Sequence, residues 1–353
     1  LASLEARMKG RVILLDWIGD RSAAALMVDG RLADLLIDPA SEMALPGAIY
    51  RAVADRPMPG QGGVTLNMGD HKGYLRQAKG VAPGDRLLVQ VSATAEPGKA
   101  APVTPRLLFK SRYAIVTPEA PGLNISRQIR DEAERDRLQE IAHEAMTGAP
   151  DGFGLILRSA AEEVASDPLA DDIAAMRDLA AAVLVDTDGP PECLVAAPDA
   201  HELAWRDWAV PDPDEVIETP GCFETHGVID AITDMLDAHV ALPGGAFAYV
   251  EPTHALVAVD VNTGADTSLA AGLKANLALA RALPRLLRVK GLAGQITLDL
   301  APMPKKDRRV IEDALRRAFR EDGAEVVLAG WTPLGCFELQ KKRDRLPLAQ
   351  LWP

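Results

Sequence analysis

The apolar positions of this chain come in two rhythms, and the change from one to the other divides it. In the first part, short apolar runs are separated by turn-forming residues. Val12-Ile13-Leu14-Leu15, residues 23–28 and Leu35-Leu36-Ile37 follow one another with Asp29-Gly30 between them, which predicts a small β-meander over 11–38. Between 47 and 91 the runs are Ala48-Ile49-Tyr50, Val64-Thr65-Leu66, Gly73-Tyr74-Leu75 and 87–91, divided by 57–63, Gly69-Asp70 and Pro83-Gly84-Asp85. Short strands at this spacing, with Gly and Pro in the turns, predict a small β-barrel of the oligonucleotide-binding kind. The Pro/Gly-rich residues 97–105 are expected to close that unit as a mobile loop.

Longer periodic stretches follow. A strand at 113–116, a polar helix over 132–145, a strand at 154–157 and a helix over 167–184, with Pro168 tolerated in its first turn, predict an α+β unit. Short mixed elements from Leu203 lead to an amphipathic helix over 227–239. The last 110 or so residues alternate: strands 246–250 and 255–261, helix 268–288, strand 295–300, helix 307–320 and strand 325–328. That order predicts a parallel or mixed sheet with helices packed on it. Pro284 falls inside the first of these helices and is expected to kink or split it.

Composition narrows the class. The 353 residues, 48% hydrophobic and 25% charged, fit a soluble globular chain of two or three domains. Cys193, Cys222 and Cys336 stand far apart without a C-x-x-C pair, which argues against a disulfide scaffold and a cysteine-built zinc site and points to a reducing compartment. No run of about 18 apolar residues is present, and the N-terminus lacks the order of a signal peptide, so a cytoplasmic protein with no membrane partner is expected. Met8-Lys9-Gly10 stands directly before the first strand and reads as the natural start, with residues 1–7 upstream of it. The net charge of −13 argues against a general positive field for nucleic acid, but its distribution is uneven. Residues 281–345 hold 15 Lys/Arg against 9 Asp/Glu, a basic island of +6 on a remainder of −19. By itself this also fits two ordinary solvated helix faces.

Three places carry candidate chemistry. Val259-Asp260-Val261-Asn262-Thr263-Gly264 ends an apolar strand, and residues two apart in a strand share a face, so Asp260 and Asn262 are expected to project together. A carboxylate there can hold Mg²⁺, with the amide orienting it or meeting a phosphate oxygen; equally, the hexapeptide fits a strand-ending turn with a solvated acid. Asp299, an acid within the apolar run Thr297-Leu298-Asp299-Leu300, must reach a strand end, a cation or a donor. Arg158-Ser159 follows the run 154–157 and offers a guanidinium and a hydroxyl to a terminal phosphate, or is an ordinary surface pair. Tyr74 on the barrel and Arg112 beside Tyr113 could meet bases, although only 4% of residues are aromatic. Among common signatures, the P-loop, the nucleophile elbow, H-E-x-x-H and the dinucleotide fingerprint are all missing, and the six histidines form no metal-ligand spacing.

The order of several motifs resembles the catalytic region of the ribonuclease E/G family of bacterial endoribonucleases, collinearly from about Arg11 to Leu348. The resemblance is densest in Leu242-Pro243-Gly244-Gly245, Ala255-Leu256-Val257-Ala258-Val259-Asp260-Val261-Asn262, Lys274-Ala275-Asn276-Leu277, Gly291-Leu292-Ala293-Gly294 and Leu334-Gly335-Cys336-Phe337-Glu338. Asn124-Ile125-Ser126-Arg127-Gln128-Ile129 and Gly152-Phe153-Gly154-Leu155-Ile156-Leu157-Arg158-Ser159 belong to it as well. It implies an α/β and β multi-subdomain fold. An RNase H-like subdomain in two parts, 8–42 and 196–240, would hold an inserted S1 (OB-type) barrel at 43–108 and a 5′-sensor subdomain at 109–195. A DNase I-like catalytic subdomain at 241–353 would follow.

Carried over by position, Asp260 would be a Mg²⁺ ligand, Asn262 its neighbour at the scissile phosphate, and Arg158 with Ser159 the binders of a 5′-monophosphate. Tyr74, Arg112 and Arg127 would contact RNA. The implied reaction is Mg²⁺-dependent hydrolysis of single-stranded RNA in processing or decay. The family's second metal-binding aspartate, in an Asp-Phe-Ile-Asp-Met run, meets Asp299-Leu300-Ala301-Pro302-Met303 here, so Pro302 stands in its place and Asp299 is left as the second acid. His254 stands where the family has a glutamate, and Thr65 where it has a second barrel aromatic. The two-cysteine zinc link is missing, which leaves room for a homodimer only without it. The alternative to a nuclease is therefore an RNA-binding relative with impaired catalysis.

Overall fold

The computed structural model describes residues 9–57, 62–76, 78–96, 98–268 and 270–353. The start at Met8, most of the expected 57–63 turn and Pro97 lie outside them. The chain forms two compact units, one of residues up to Ala40 with Val216–Pro353, the other Ser41–Glu215.

In the first unit the expected meander is present. Arg11–Ile18 pairs antiparallel with Arg21–Val28, and that strand with Arg31–Ile37. The short strand Glu215–Ile217, where the chain re-enters this unit, lies outside Arg11–Ile18. Alternate inward residues Val12, Leu14, Ala23, Ala25 and Met27 pack with Phe223, Val228 and Ile232 from two following helices. Buried Asp16 accepts from the backbone N–H groups of Gly221 (3.0 Å) and Phe223 (2.8 Å) and so fixes the start of the first of those helices. The second helix, Val228–Leu236, ends before the expected 239. Lys290 donates to the carbonyls of Met235 and Asp237 at 2.6 Å each, satisfying the helix end. His239 then begins a strand.

That strand opens a six-stranded sheet, in the order His239–Ala241, Phe247–Pro252, Val257–Asn262, Gly294–Asp299, Phe337–Lys341, Val326–Trp331. Only Val257–Asn262 and Gly294–Asp299 run parallel, joined by the helix Ala271–Val289. The sheet is therefore mixed. Phe337–Lys341 was not expected from the sequence and inserts antiparallel between the last two predicted strands. The helix is not split at Pro284; the residue is buried within the continuous helix Ala271–Val289. Strand residues Val257, Val259, Val261, Ile296, Leu298, Phe337 and Leu339 meet Leu279, Leu283 and Leu287 of this helix and Ile311 and Leu315 of the helix Arg308–Asp322 in one core. Residues on the opposite sheet face are exposed or half-exposed.

The second unit contains a closed five-stranded barrel. Ile49–Pro57, Gly63–Asn67, Lys72–Arg76, Ala101–Thr104 and Arg86–Val91 pair in that order, and Arg86–Val91 closes onto Ile49–Pro57. The architecture is consistent with an S1 or OB-type barrel. The expected loop at 97–105 is corrected here, since Ala101–Thr104 is a barrel strand between Lys72–Arg76 and Arg86–Val91. Pro102 fits because this strand pairs parallel to Lys72–Arg76 and its carbonyl accepts from Ser92 at 2.9 Å. Beyond the barrel, Phe109–Lys110, Ala114–Thr117, Gly154–Leu157 and Gly122–Ile125 form a second sheet, covered by the helices Glu132–Ala145 and Ser166–Val185. No helix among the described residues is long and apolar enough to cross a membrane.

Candidate active site

The alternation that buries Val257, Val259 and Val261 turns Ala258, Asp260 and Asn262 to the open face of the six-stranded sheet. Asn262 Nδ2 donates to Asp260 Oδ2 at 2.9 Å, the i, i+2 pairing expected from the sequence. Asp299 is the last residue of its strand and is exposed, so no desolvation penalty falls on it. In the parallel pairing Asp260 stands directly opposite Asp299, and Ala258 opposite Thr297. The two carboxylates thus project from one sheet face on adjacent strands, whose backbones in a sheet lie about 4.8 Å apart.

The segment after Asp299 is held from behind. Fully buried Asn276, on the helix, donates through Nδ2 to the Ala301 carbonyl (2.9 Å) and accepts through Oδ1 from the Ala301 N–H (3.0 Å). Gly272 lets the same segment approach, since a Cβ there would lie 2.0 Å from the Pro302 carbonyl oxygen. Pro302 itself is exposed, and its side chain carries no oxygen. Among the described residues no group of three or more His, Cys, Asp or Glu could hold a metal ion. The donor set of the acid pair is two carboxylates, which matches the habit of Mg²⁺: one or two protein carboxylates, with water or phosphate in the remaining positions. His254 lies in the hairpin turn, outside this row.

The other sequence-derived candidates belong to the second unit. Tyr74 shares the outer face of its barrel strand with Lys72 and Arg76, and its ring lies against Gly63, where a Cβ would come within 2.6 Å of it. Thr65 is its cross-strand partner. Arg127 is exposed in the turn after Gly122–Ile125. Arg112 places its guanidinium over Tyr113 at 5.5 Å and over Trp205 at 5.6 Å, geometry suited to cation–π attraction.

Arg158 is committed within the chain. Its Nη1 donates to the carbonyls of Ser111 (2.8 Å), Arg112 (3.3 Å) and Arg206 (3.0 Å), and its Nη2 to Asp207 Oδ1 (2.9 Å). Arg206 holds the other Asp207 oxygen at 2.8 Å. Burial pushes the Asp207 carboxyl up, but its hydrogen bond and charge contact with Arg206, and the charge of Arg158, outweigh this and hold it below the usual carboxylate range. Ser159, half-exposed, starts a short 3₁₀ turn beside this knot.

Sequence reasoning missed two features. Asp207 lies 49 residues from Arg158, with no local signal to join them. On the acid-bearing sheet, His239, Phe247 and Tyr249 form a contiguous ring cluster on the open face. The i, i+2 placement of Phe247 and Tyr249 in a strand could have revealed that pair.

Comparison with known proteins places these features in a larger set. The model of the Ribonuclease E/G family matches residues 109–219 and 215–344. A ribonuclease E of Nostoc sp. is 26% identical over 362 residues, covering 87% of this chain and 52% of that protein. A ribonuclease E of Synechocystis sp. is 26% identical over 385 residues, covering 93% of this chain and 56% of that protein. A ribonuclease G of Escherichia coli is 24% identical over 397 residues, covering 94% and 80%. The chain spans about half the length of the first two relatives.

Proposed function

This chain belongs to the ribonuclease E/G family, and on that footing we propose that it is an endoribonuclease that hydrolyses phosphodiesters of single-stranded RNA with Mg²⁺. The observation that carries the reading is the in-register pair Asp260 and Asp299, with Asn262 hydrogen-bonded to Asp260 on the same open face. Asp260 and Asp299 would hold the ion, and Asn262 would fix the Asp260 rotamer. When bound, Mg²⁺ supplies charge neutralisation at the phosphate and a more acidic water. In the net reaction one P–O ester bond breaks, the water oxygen bonds to phosphorus, and the leaving oxygen takes up a proton.

The RNA chain would be gripped elsewhere by the barrel strand carrying Lys72, Tyr74 and Arg76, whose alternation of cations and an aromatic suits a backbone and a stacked base. Under the same reading, residues 43–108 act as an S1-type module and 109–195 as a 5′-end sensor containing Arg112, Arg127, Arg158 and Ser159. Residues 8–42 with 196–240 form an RNase H-like part, and 241–353 a DNase I-like catalytic part.

A second reading rests on Pro302. With that position lacking a carboxylate, the chain would be an RNA-binding relative of reduced activity. The discriminating experiment incubates protein in excess with 5′-monophosphorylated single-stranded RNA, with and without Mg²⁺. Cleavage that requires Mg²⁺ and falls about a hundredfold or more in Asp260→Asn supports the nuclease. No cleavage by the parent chain overturns it and leaves the binding protein.

A further inference from the structure

We propose that Tyr249, with Phe247 and His239 beside it, is a base-stacking platform that seats an unpaired nucleobase next to the acid pair. The inference rests on the reading of Asp260 and Asp299 as the cleavage site, and it adds the element that would position the RNA there. Its basis is one transverse row of side chains. His239 stands opposite Tyr249, Tyr249 opposite Asp260, and Asp260 opposite Asp299. Direct cross-strand partners share a face, so two rings and two carboxylates lie in line across four adjacent strands. Phe247 is two residues from Tyr249 on the same strand and opposite Asn262, which extends the arrangement to the next row.

The rings are not there to complete a core. The helices pack on the other side of the sheet, where Val250, Val259 and Leu298 are buried, whereas Tyr249 keeps 40% of its surface exposed. The three rings support one another instead: His239 to Phe247 at 5.2 Å, His239 to Tyr249 at 5.6 Å and Phe247 to Tyr249 at 5.8 Å between centroids, the last two edge-to-face. Such contacts fix ring orientation before a ligand arrives, so little ordering entropy remains to be lost on binding.

The occupant follows from where the apolar patch stops. It ends at Asp260, one strand away, and the face beyond continues with Asp299, Thr297 and Gln295. A lipid surface would need the apolar area to continue. A single-stranded nucleic acid matches the change of chemistry, because it offers a flat apolar base on one side of each sugar and a charged phosphate on the other. A base over Tyr249 would leave the adjoining phosphate near Asp260 and Asp299, where a cation held by the carboxylates would meet it.

The test measures binding of a single-stranded oligouridylate by fluorescence anisotropy with Ca²⁺ in place of Mg²⁺, so that a cation is present while cleavage does not interfere. It is paired with photocrosslinking of the same RNA carrying 5-iodouracil. Tyr249→Ala is expected to weaken binding about five- to a hundredfold, while Tyr249→Phe, which keeps the ring, stays within about twofold. Crosslinks are expected on Tyr249 or its ring neighbours. Equal affinity of Tyr249→Ala and the parent, or crosslinks confined to other elements, overturns the proposal. So does a change of oligomeric state in Tyr249→Ala at unchanged RNA affinity, which would make the face a protein interface. Asp260→Asn and Asp299→Asn separate this inference from the cleavage reading. Tyr249 crosslinks in a parent chain that cleaves nothing leave the platform standing without the nuclease. Mg²⁺- and Asp260-dependent cleavage that ignores Tyr249 does the reverse.

Discussion

The acid row on the mixed sheet and the arginine knot around Arg158 are both polar clusters, yet they are built on opposite principles. On the sheet, Asp260 has one side-chain partner among the described residues, Asn262, and both acids face solvent. Around Arg158, two guanidiniums share the Asp207 carboxylate, and three backbone carbonyls accept from Arg158 Nη1. An open carboxylate costs the fold little and can accept a ligand without first losing anything. A guanidinium tied to a carboxylate must exchange one anion for another. In this chain, then, the proposed cleavage site has its carboxylates open, and the proposed end sensor has its guanidinium already paired.

The largest expected effect comes from the support behind the acid row. Asn276→Ala removes the amide that pairs with both the N–H and the carbonyl of Ala301 and leaves two buried backbone groups without partners. We expect a loss of about 2–3 kcal/mol in urea denaturation, with cleavage lost alongside because the segment following Asp299 is no longer held. A change below about 0.5 kcal/mol would mean that the segment does not depend on the helix. By contrast, Asp260→Asn should leave stability within that margin, since Asp260 is exposed.

A smaller effect comes from giving the row a third acid. Pro302→Asp adds a carboxylate three residues beyond Asp299, and the Mg²⁺ concentration for half-maximal cleavage should fall by roughly tenfold, because added ligand charge tightens a hard-cation site. An unchanged Mg²⁺ dependence would show that Asp260 and Asp299 suffice, and that the residue 302 side chain does not reach the ion.

How much of this was readable in the sequence follows the same division between local and distant determinants. The helix Glu132–Ala145 and the strand Gly154–Leu157 lie where the residues put them, because Asp131 caps the one through Glu134 N–H at 2.8 Å and glycine marks the start of the other. The shared face of Asp260 and Asn262 is likewise a property of one strand. The register that sets Asp299 opposite Asp260 depends on how two strands joined by a helix align, and no local pattern encodes it. Ala101–Thr104 was concealed by Pro102, which reads as a breaker until its parallel partner is known. Phe337–Lys341 was concealed because only three of its five residues are buried and its end runs into a cluster of basic residues. The commitments of Arg158 span up to 49 residues and were beyond any sequence window.

The finest test of the comparison opens the knot. In Asp207→Asn the carboxylate is gone, Arg158 and Arg206 lose their shared counter-charge, and a terminal phosphate becomes the anion that can restore it. The preference for 5′-monophosphorylated over 5′-hydroxyl RNA should rise by roughly two- to fivefold, the range of a partly exposed ion pair, and Arg158→Ala should remove it. An unchanged ratio in both variants would end the sensor assignment. The pH dependence of the parent provides a control. The carboxyl of Asp207 is held below its ordinary 3.8, so the pair is intact above that value and is lost only as pH falls through the depressed folded value. The parent's end preference should therefore be flat between about pH 5 and 8 as far as Asp207 is concerned. A preference that rises as pH drops across that range would mean that something other than Asp207 closes the site.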